Sequence, residues 1–200
     1  MSQPLLIIAT RNAHKTAEIR AMLAGKWEVR DLADYPQAPP VEETGTTFLE
    51  NATLKALSAS RVLPGIILAD DSGLEVDILG GRPGVWSSSF GGEEGNHAKN
   101  NEHILSELAR VNAVTPEESS ARFLCTMVLA REGEVLAHFE GRVEGYMLRS
   151  LSGTKGFGYD PLFVPQGYDQ TFAELGSEVK NTLSHRSRAL EQVVEWLKTQ

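Results

Sequence analysis

Apolar residues along this chain come in two kinds of spacing, and their alternation predicts the fold. Pro4-Leu-Leu-Ile-Ile-Ala-Thr10 is a continuous apolar run, the mark of a strand buried on both faces. It gives way to the polar turn Thr10–Lys15. Ala17, Ile19, Met22 and Leu23 then recur near helical spacing, and Gly25 supplies a C-cap. Trp27–Asp31 reads as a second strand and the proline-bearing stretch Asp34–Val41 as a loop. A helix is predicted from Phe48 to about Leu63, capped by Thr46 or Thr47, with Glu50 at capping-box distance from Thr47. Its partly apolar face includes Asn51 and Lys55, four residues apart. Gly65–Ala69 is another buried strand, ending in Asp70-Asp71-Ser72-Gly73. This places two carboxylates at a strand's carboxyl end, where open α/β sheets hold ligands. Adjacent strand residues point to opposite faces, so the two acids are expected to do different jobs. Leu74–Leu79 alternates and predicts a further strand, Gly80–Gly84 a turn, and Asn96 the start of a helix carrying Ile104, Leu105 and Leu108.

From about residue 115 the pattern changes. Ser120–Arg131 and Val135–Leu148 are β-rich runs around Glu132-Gly-Glu134, which predicts a hairpin. A Gly-rich loop, Ser152–Pro161, leads into the short strand Leu162–Val164. Ser184 can cap a last helix whose Leu190, Val193, Val194 and Leu197 share a face. The expected class is α/β, a mixed sheet with flanking helices, as a single domain over residues 1–200. Its antiparallel-rich lobe is expected over about 115–165.

Bulk composition narrows the function classes. With 200 residues, 41% hydrophobic and 23% charged, the chain has the make-up of a soluble globular protein with a sizeable core. A net charge of -8 excludes a protein that coats nucleic acid by charge alone, so an anion site must be built from local cations, amides and a metal ion. The single cysteine, Cys125, lies in a strand pattern and excludes internal disulfides and a Cys-based zinc site. Neither a signal-peptide pattern nor a run of about 18 apolar residues occurs, so the expectation is a cytoplasmic protein without membrane or nucleic-acid partners.

Five polar clusters stand at element ends: Thr10–Lys15, Glu42–Thr47, Asp70–Gly73, Gly156–Asp160 and Lys180–Arg186. Carboxylates, isolated cations and glycine backbone together suit a triphosphate and a Mg²⁺ ion held by a few carboxylates. Phe157 and Tyr159 could offer a stacking face to a base. His185 and Arg186 fall in the first turn of a helix, where a cation opposes the dipole, so a ligand is the expected reason for them. The loop after the first strand is not a Walker A motif. A glycosidase-like carboxylate pair is disfavoured by only 7% aromatics.

Glu42-Glu-Thr-Gly-Thr-Thr-Phe-x-Glu-Asn51, Ala69-Asp-Asp-Ser-Gly-Leu74, Gly84-Val-Trp-Ser-Ser88, Gly156-Phe-Gly-Tyr-Asp-Pro161 and Ser184-His-Arg186 follow one another in order. In this the chain resembles the inosine triphosphate pyrophosphatase family, the house-cleaning dITP/XTP pyrophosphatases, from Leu5 to Leu197. The resemblance implies an elongated α/β fold with two lobes around a central nucleotide cleft, and a homodimer. It implies Mg²⁺-dependent hydrolysis of non-canonical purine nucleoside triphosphates (ITP, dITP, XTP) to the monophosphate and pyrophosphate. It makes Asp71 the catalytic acid, and Glu42 and Asp71 the metal ligands, although the spacing leaves Glu42 and Glu43 as alternatives and Asp70 without a role. The substrate-binding positions it implies are Thr10, Arg11, Asn12, Ala13, His14 and Lys15 of the phosphate loop, then Ser72, Phe157, Gly158, Tyr159, Asp160, Lys180, His185 and Arg186. Arg11 departs from the family's usual small residue, so either a changed backbone or an added phosphate contact is expected there.

Overall fold

The two unbroken apolar runs, Leu5–Ala9 and Gly65–Ala69, enter strands of the sheet's parallel part. In the computed structural model, which describes residues 3–113 and 115–199, β1 (Leu5–Ile8) lies between β2 (Glu28–Asp31) and β3 (Ile67–Val76) and is parallel to both. β4 (Ser120–Arg131), β5 (Glu134–Met147) and β6 (Phe163–Pro165) complete a mixed six-stranded sheet in the order β2-β1-β3-β4-β5-β6, with β6 antiparallel to β5. The helices are α1 (Ala13–Met22), α2 (Phe48–Ser60), α3 (His97–Arg110), α4 (Phe172–Leu175), α5 (Ser177–Leu183) and α6 (His185–Leu197).

The chain forms two compact units, one of Met1–Asp71, Cys125–Gly141 and Arg186–Gln200, the other of Ser72–Leu124 and Arg142–His185. In the first unit, alternate residues of β1 enter different cores. Leu6 and Ile8 pack with Ile19, Leu68, Met127, Leu190 and Val193. Ile7 and Ala9 pack with Ala52, Ala56, Ala59 and Ile67. With both faces covered, no polar alternation is possible, which is why the run reads as continuous. The second unit is built on Leu74, Val76, Ile104, Leu108, Phe123, Phe163 and Phe172.

Local chemistry sets the helix ends. Thr47 Oγ1 accepts from the Glu50 amide at 3.1 Å, and Glu50 Oε2 accepts from the Thr47 amide at 3.2 Å, the reciprocal box that the spacing predicts. Thr47→Ala is expected to cost about 1 kcal/mol, a melting temperature lower by roughly 2–4 °C. An unchanged thermal melt would show that the box contributes nothing. Asn96 caps α3 through the Lys99 amide. The β4–β5 turn has two residues rather than three: Glu132 and Gly133 both take positive φ, 54° and 82°, the pattern of a type I′ hairpin.

The structure corrects the reading of the acid pair's strand. β3 does not stop at Ala69. It runs through Asp70 and Asp71 to Val76, and Asp77–Leu79 is a 3₁₀ turn, not the end of another strand. The physical reason is that both acids are buried against cations supplied by distant segments, so their polarity does not end the strand. They do lie just past the last β1 contact, since Ile8 pairs with Leu68 and the Ala9 amide bonds the Leu68 carbonyl. The segment after Gly84 is a 3₁₀ turn, Gly84–Trp86. The short helices α4 and α5 go unread in the sequence, although Thr171 and Glu174 form a capping box.

Candidate active site

Asp70 and Asp71 emerge side by side on β3, and each makes its direct ion pairs with different cations. Asp70 Oδ2 lies 3.0 Å from Lys15 Nζ and 3.2 Å from Arg186 Nη2. Arg186 is held from its other side by Glu18 through Nη1. Burial alone would raise the Asp70 carboxyl, but Lys15, Arg186 and Lys55 outweigh it and hold Asp70 well below the usual carboxylate range. Burial likewise works against charge on Arg186, and Glu18 and Asp70 overcome it, so the guanidinium stays charged although it is only 1% exposed.

Asp71 sits on the other side of the strand's logic. Its Oδ1 is 2.8 Å from Lys55 Nζ, and the same ammonium is 2.9 Å from Glu43 Oε2. Burial pushes the Asp71 carboxyl up to about 6; Lys55 and Lys15 pull it back only in part, and Glu43 adds to the rise. Neighbouring acids with values driven apart are the usual mark of divided acid–base roles.

The acidic loop that supplies Glu43 is pinned to α2. Asn51 Oδ1 accepts from the Gly45 amide at 2.8 Å, and Glu50 Oε2 accepts from the Thr46 amide at 2.6 Å. A Cβ on Gly45 would stand 2.6 Å from Asn51 Oδ1 and from Glu50 Cβ, so the loop closes only over a glycine. Glu42 is exposed one residue earlier, and it is Glu43 that shares a cation with Asp71.

In the Thr10–Lys15 loop, Asn12 is the N-cap of α1. Its Oδ1 accepts from the His14 and Lys15 amides at 3.0 and 3.3 Å, and Thr10 Oγ1 accepts from the Asn12 amide. Those two amides are therefore committed to the cap. Ala13 and His14 are exposed in the first turn. Arg11 does not require a left-handed backbone, because positive φ among non-glycine described residues occurs only at Asn112 and Glu132. Its guanidinium donates to the Leu32 and Ala38 carbonyls at 3.1 and 2.8 Å, tying the Thr10–Lys15 loop to the proline-bearing loop.

The second unit holds the glycine loop. Asp160 Oδ2 accepts from the Phe157 amide at 2.9 Å and from Lys180 Nζ at 2.6 Å. Lys180 Nζ also lies 4.5 Å from the centroid of the Phe157 ring. Gly156 has φ 77°, and a Cβ there would stand 2.1 Å from Asp160 Oδ2. Of the two aromatic rings, only Phe157 keeps exposure. Tyr159 is 3% exposed and its hydroxyl donates to the Ser87 carbonyl at 2.8 Å, so it is a core residue and not a stacking face. His185 is buried and stacked on Phe123 at 4.9 Å. Ser72 is half-buried where β3 enters this unit.

Two contributors to this arrangement, Lys55 and Glu18, are not singled out by the sequence. Lys55 carries a signal, a cation on a partly apolar helix face, four residues after Asn51. Glu18 and Arg186 are 168 residues apart, so nothing local announces their pairing. It gives Arg186 a structural partner at the helix start, where the sequence offers only an unfavourable dipole. Among the described residues no group of three or more His, Cys, Asp or Glu converges as a ready-made metal cage.

Known proteins are similar to this chain in sequence and in fold. A model of the Ham1 family matches residues 6–196. A dITP/XTP pyrophosphatase of Bacillus licheniformis is 46% identical over 189 residues, covering 94% of this chain and 95% of that protein. Another from Geobacillus kaustophilus is 47% identical over 191 residues, covering 95% and 92%. Among solved structures, a HAM1 protein from Coxiella burnetii superposes with a TM-score of 0.86 at 34% identity, covering 99% of this chain and all of its own. A dITP/XTP pyrophosphatase from Mycobacterium abscessus gives 0.74 at 39%, covering 94% and 98%.

Proposed function

The chain belongs to the Ham1 family, and from that premise we propose that it hydrolyses non-canonical purine nucleoside triphosphates, ITP, dITP and XTP, to the monophosphate and pyrophosphate. The observation that carries this reading is the sharing of the Lys55 ammonium by Glu43 and Asp71, beside an Asp70 that is locked into its own ion pairs.

Two carboxylates that already converge on a cation fit a Mg²⁺ ion, which commonly binds through one or two carboxylates and completes its shell with water and substrate phosphate. Glu43 and Asp71 would hold it, with Glu42 next to them in the exposed loop. Bound there, it would supply positive charge to the phosphate oxygens. The chain's own residues do the rest. Asp71, whose carboxyl is raised to about 6, is poised to take a proton from the water that attacks the α-phosphorus. Lys15, oriented by Asp70, offers its charge to the departing pyrophosphate. Phe157, with Lys180 over its ring and its backbone fixed by Asp160, offers a face to the purine. Arg186 and His185 are proposed to donate to the 6-oxo group, where an adenine amine would leave buried donors unpaired.

Incubation with ITP, dITP, XTP and ATP, with and without Mg²⁺, tests the reading through released pyrophosphate. Release from the first three, with ATP far slower, is expected. No pyrophosphate from any of them would sink it. Glu43→Gln is expected to raise the Mg²⁺ concentration needed for half-maximal rate by roughly tenfold or more, and Glu42→Gln to raise it less; the reverse order would move the ligand to Glu42. A homodimer working in the cytoplasm belongs to the same proposal, and sedimentation of the purified protein would check the dimer.

A further inference from the structure

Two adjacent asparagines on α3, Asn100 and Asn101, are buried, and neither has a part in the chemistry above. Asn100 is satisfied at both ends. Its Oδ1 accepts from the Gly91 amide at 2.7 Å and its Nδ2 donates to the Ser88 carbonyl at 2.9 Å. Asn101 is different. Its Nδ2 donates to the Gly158 carbonyl at 3.0 Å, 57 residues away, while its Oδ1 is fully buried and meets no donor among the described residues. A buried amide oxygen without a donor is destabilising. Packing alone would favour an apolar side chain here, so the bond to Gly158 is the reason for an amide.

Gly158 takes φ 61° and stands between Phe157, whose ring faces Lys180, and Asp160, whose carboxylate receives the Phe157 amide. A left-handed glycine is the freest point of such a loop, and Asn101 holds its carbonyl. The next residue is held too, through Tyr159 Oη to the Ser87 carbonyl. Ser87 is itself fixed, its Oγ accepting from the Leu74 amide at 2.9 Å and donating to the Gly84 carbonyl at 2.6 Å. The loop is thus anchored on either side of the Gly158–Tyr159 peptide by buried side chains.

We propose that Asn101 is a positioning residue for the purine: by holding the Gly158 carbonyl it keeps the Phe157 ring and the Asp160 carboxylate in the arrangement that receives the base. This rests on the reading that the Gly156–Asp160 loop receives the base. Asn101 touches neither phosphate nor water in that reading, so its loss falls on base binding.

The test is Asn101→Ala, assayed for ITP turnover and for inhibition by inorganic tripolyphosphate, which has the phosphates but no base. The KM for ITP is expected to rise about tenfold, the effect of losing one buried hydrogen bond. kcat is expected to stay within about threefold, as for a lost uniform-binding contact, with the tripolyphosphate inhibition constant unchanged. A general loosening of the fold would weaken ITP and tripolyphosphate together, and that result overturns the proposal. So does an unchanged KM, or a fall in kcat at constant KM. Should the alanine variant not fold, Asn101→Leu, close in volume, is measured and judged in the same way. Phe157→Ala separates the two levels of the argument. If it leaves the KM for ITP unchanged, the loop does not receive the base; if it raises the KM while folded Asn101 variants do not, only the role of Asn101 falls.

Discussion

Asp71→Asn is expected to lose at least about 100-fold in turnover of ITP, the low end for removal of a general base. The substitution keeps the side chain's shape and leaves an oxygen for Lys55, which lies 2.8 Å from Oδ1 in the native chain. It removes a group that can take a proton and half of the carboxylate pair that converges with Glu43. The fold should tolerate the change. A carboxylate raised to about 6 by burial is an unfavourable charge above that pH, and a neutral amide does not carry it. The expected signature is therefore a dead or nearly dead enzyme with a melting temperature at or above the native value. Single-turnover measurements with excess enzyme give the rate of the chemical step. Turnover within a few-fold of the native rate would remove Asp71 from the role of base.

The neighbouring substitution should behave in the opposite way. Asp70→Asn leaves Lys15 and Arg186 without the carboxylate that both address, in a place where its side chain has no exposed surface. Removing one partner of a buried ion pair costs about 3–5 kcal/mol, and in a chain of this size 3 kcal/mol lowers the melting temperature by roughly 6–12 °C. The pH dependence follows from the direction of the shift. Asp70 is held below its unfolded-state value, so its contribution is complete above about pH 4, the unfolded range for aspartate, and is lost as the pH falls toward the depressed native value. The stability gap between native protein and variant should therefore be flat around neutrality and narrow only in acid. Denaturant unfolding at pH 7 and at pH 3 reads both parts. A variant as stable as the native protein at pH 7 would show that the three-way pairing contributes nothing.

The contrast between these acids also shows what was legible in the sequence. Features written within one turn of chain were readable: the Thr47–Glu50 box, the Asn96 helix start, a hairpin after Arg131 (though not its two-residue turn) and the buried runs of β1 and β3. The end of β3 was misread because consecutive acids ordinarily mark a turn, and the groups that keep them in the strand come from positions 15, 55 and 186. Pairing over such separations has no local spacing to betray it. The same holds for Glu18 with Arg186 and for Asn101 with Gly158, whereas Lys55 could have been singled out as a charge on a partly apolar face. Tyr159 shows the reverse error: a ring in a glycine-rich loop looked available, and the fold spends it on the core.

Lys15, Glu18, Asp70 and Arg186 form a linked set in which each charge meets an opposite one from another segment or turn. Such a set resists piecemeal drift. A chimera that imports residues 10–18 from a homologue lacking either Lys15 or Glu18 would strand a charge contributed by a different segment, even if every imported residue suits its own helix. Substitutions at these four positions are accordingly expected to travel in compensating pairs across lineages, and grafts of residues 10–18 should succeed only when the start of the last helix is carried with them.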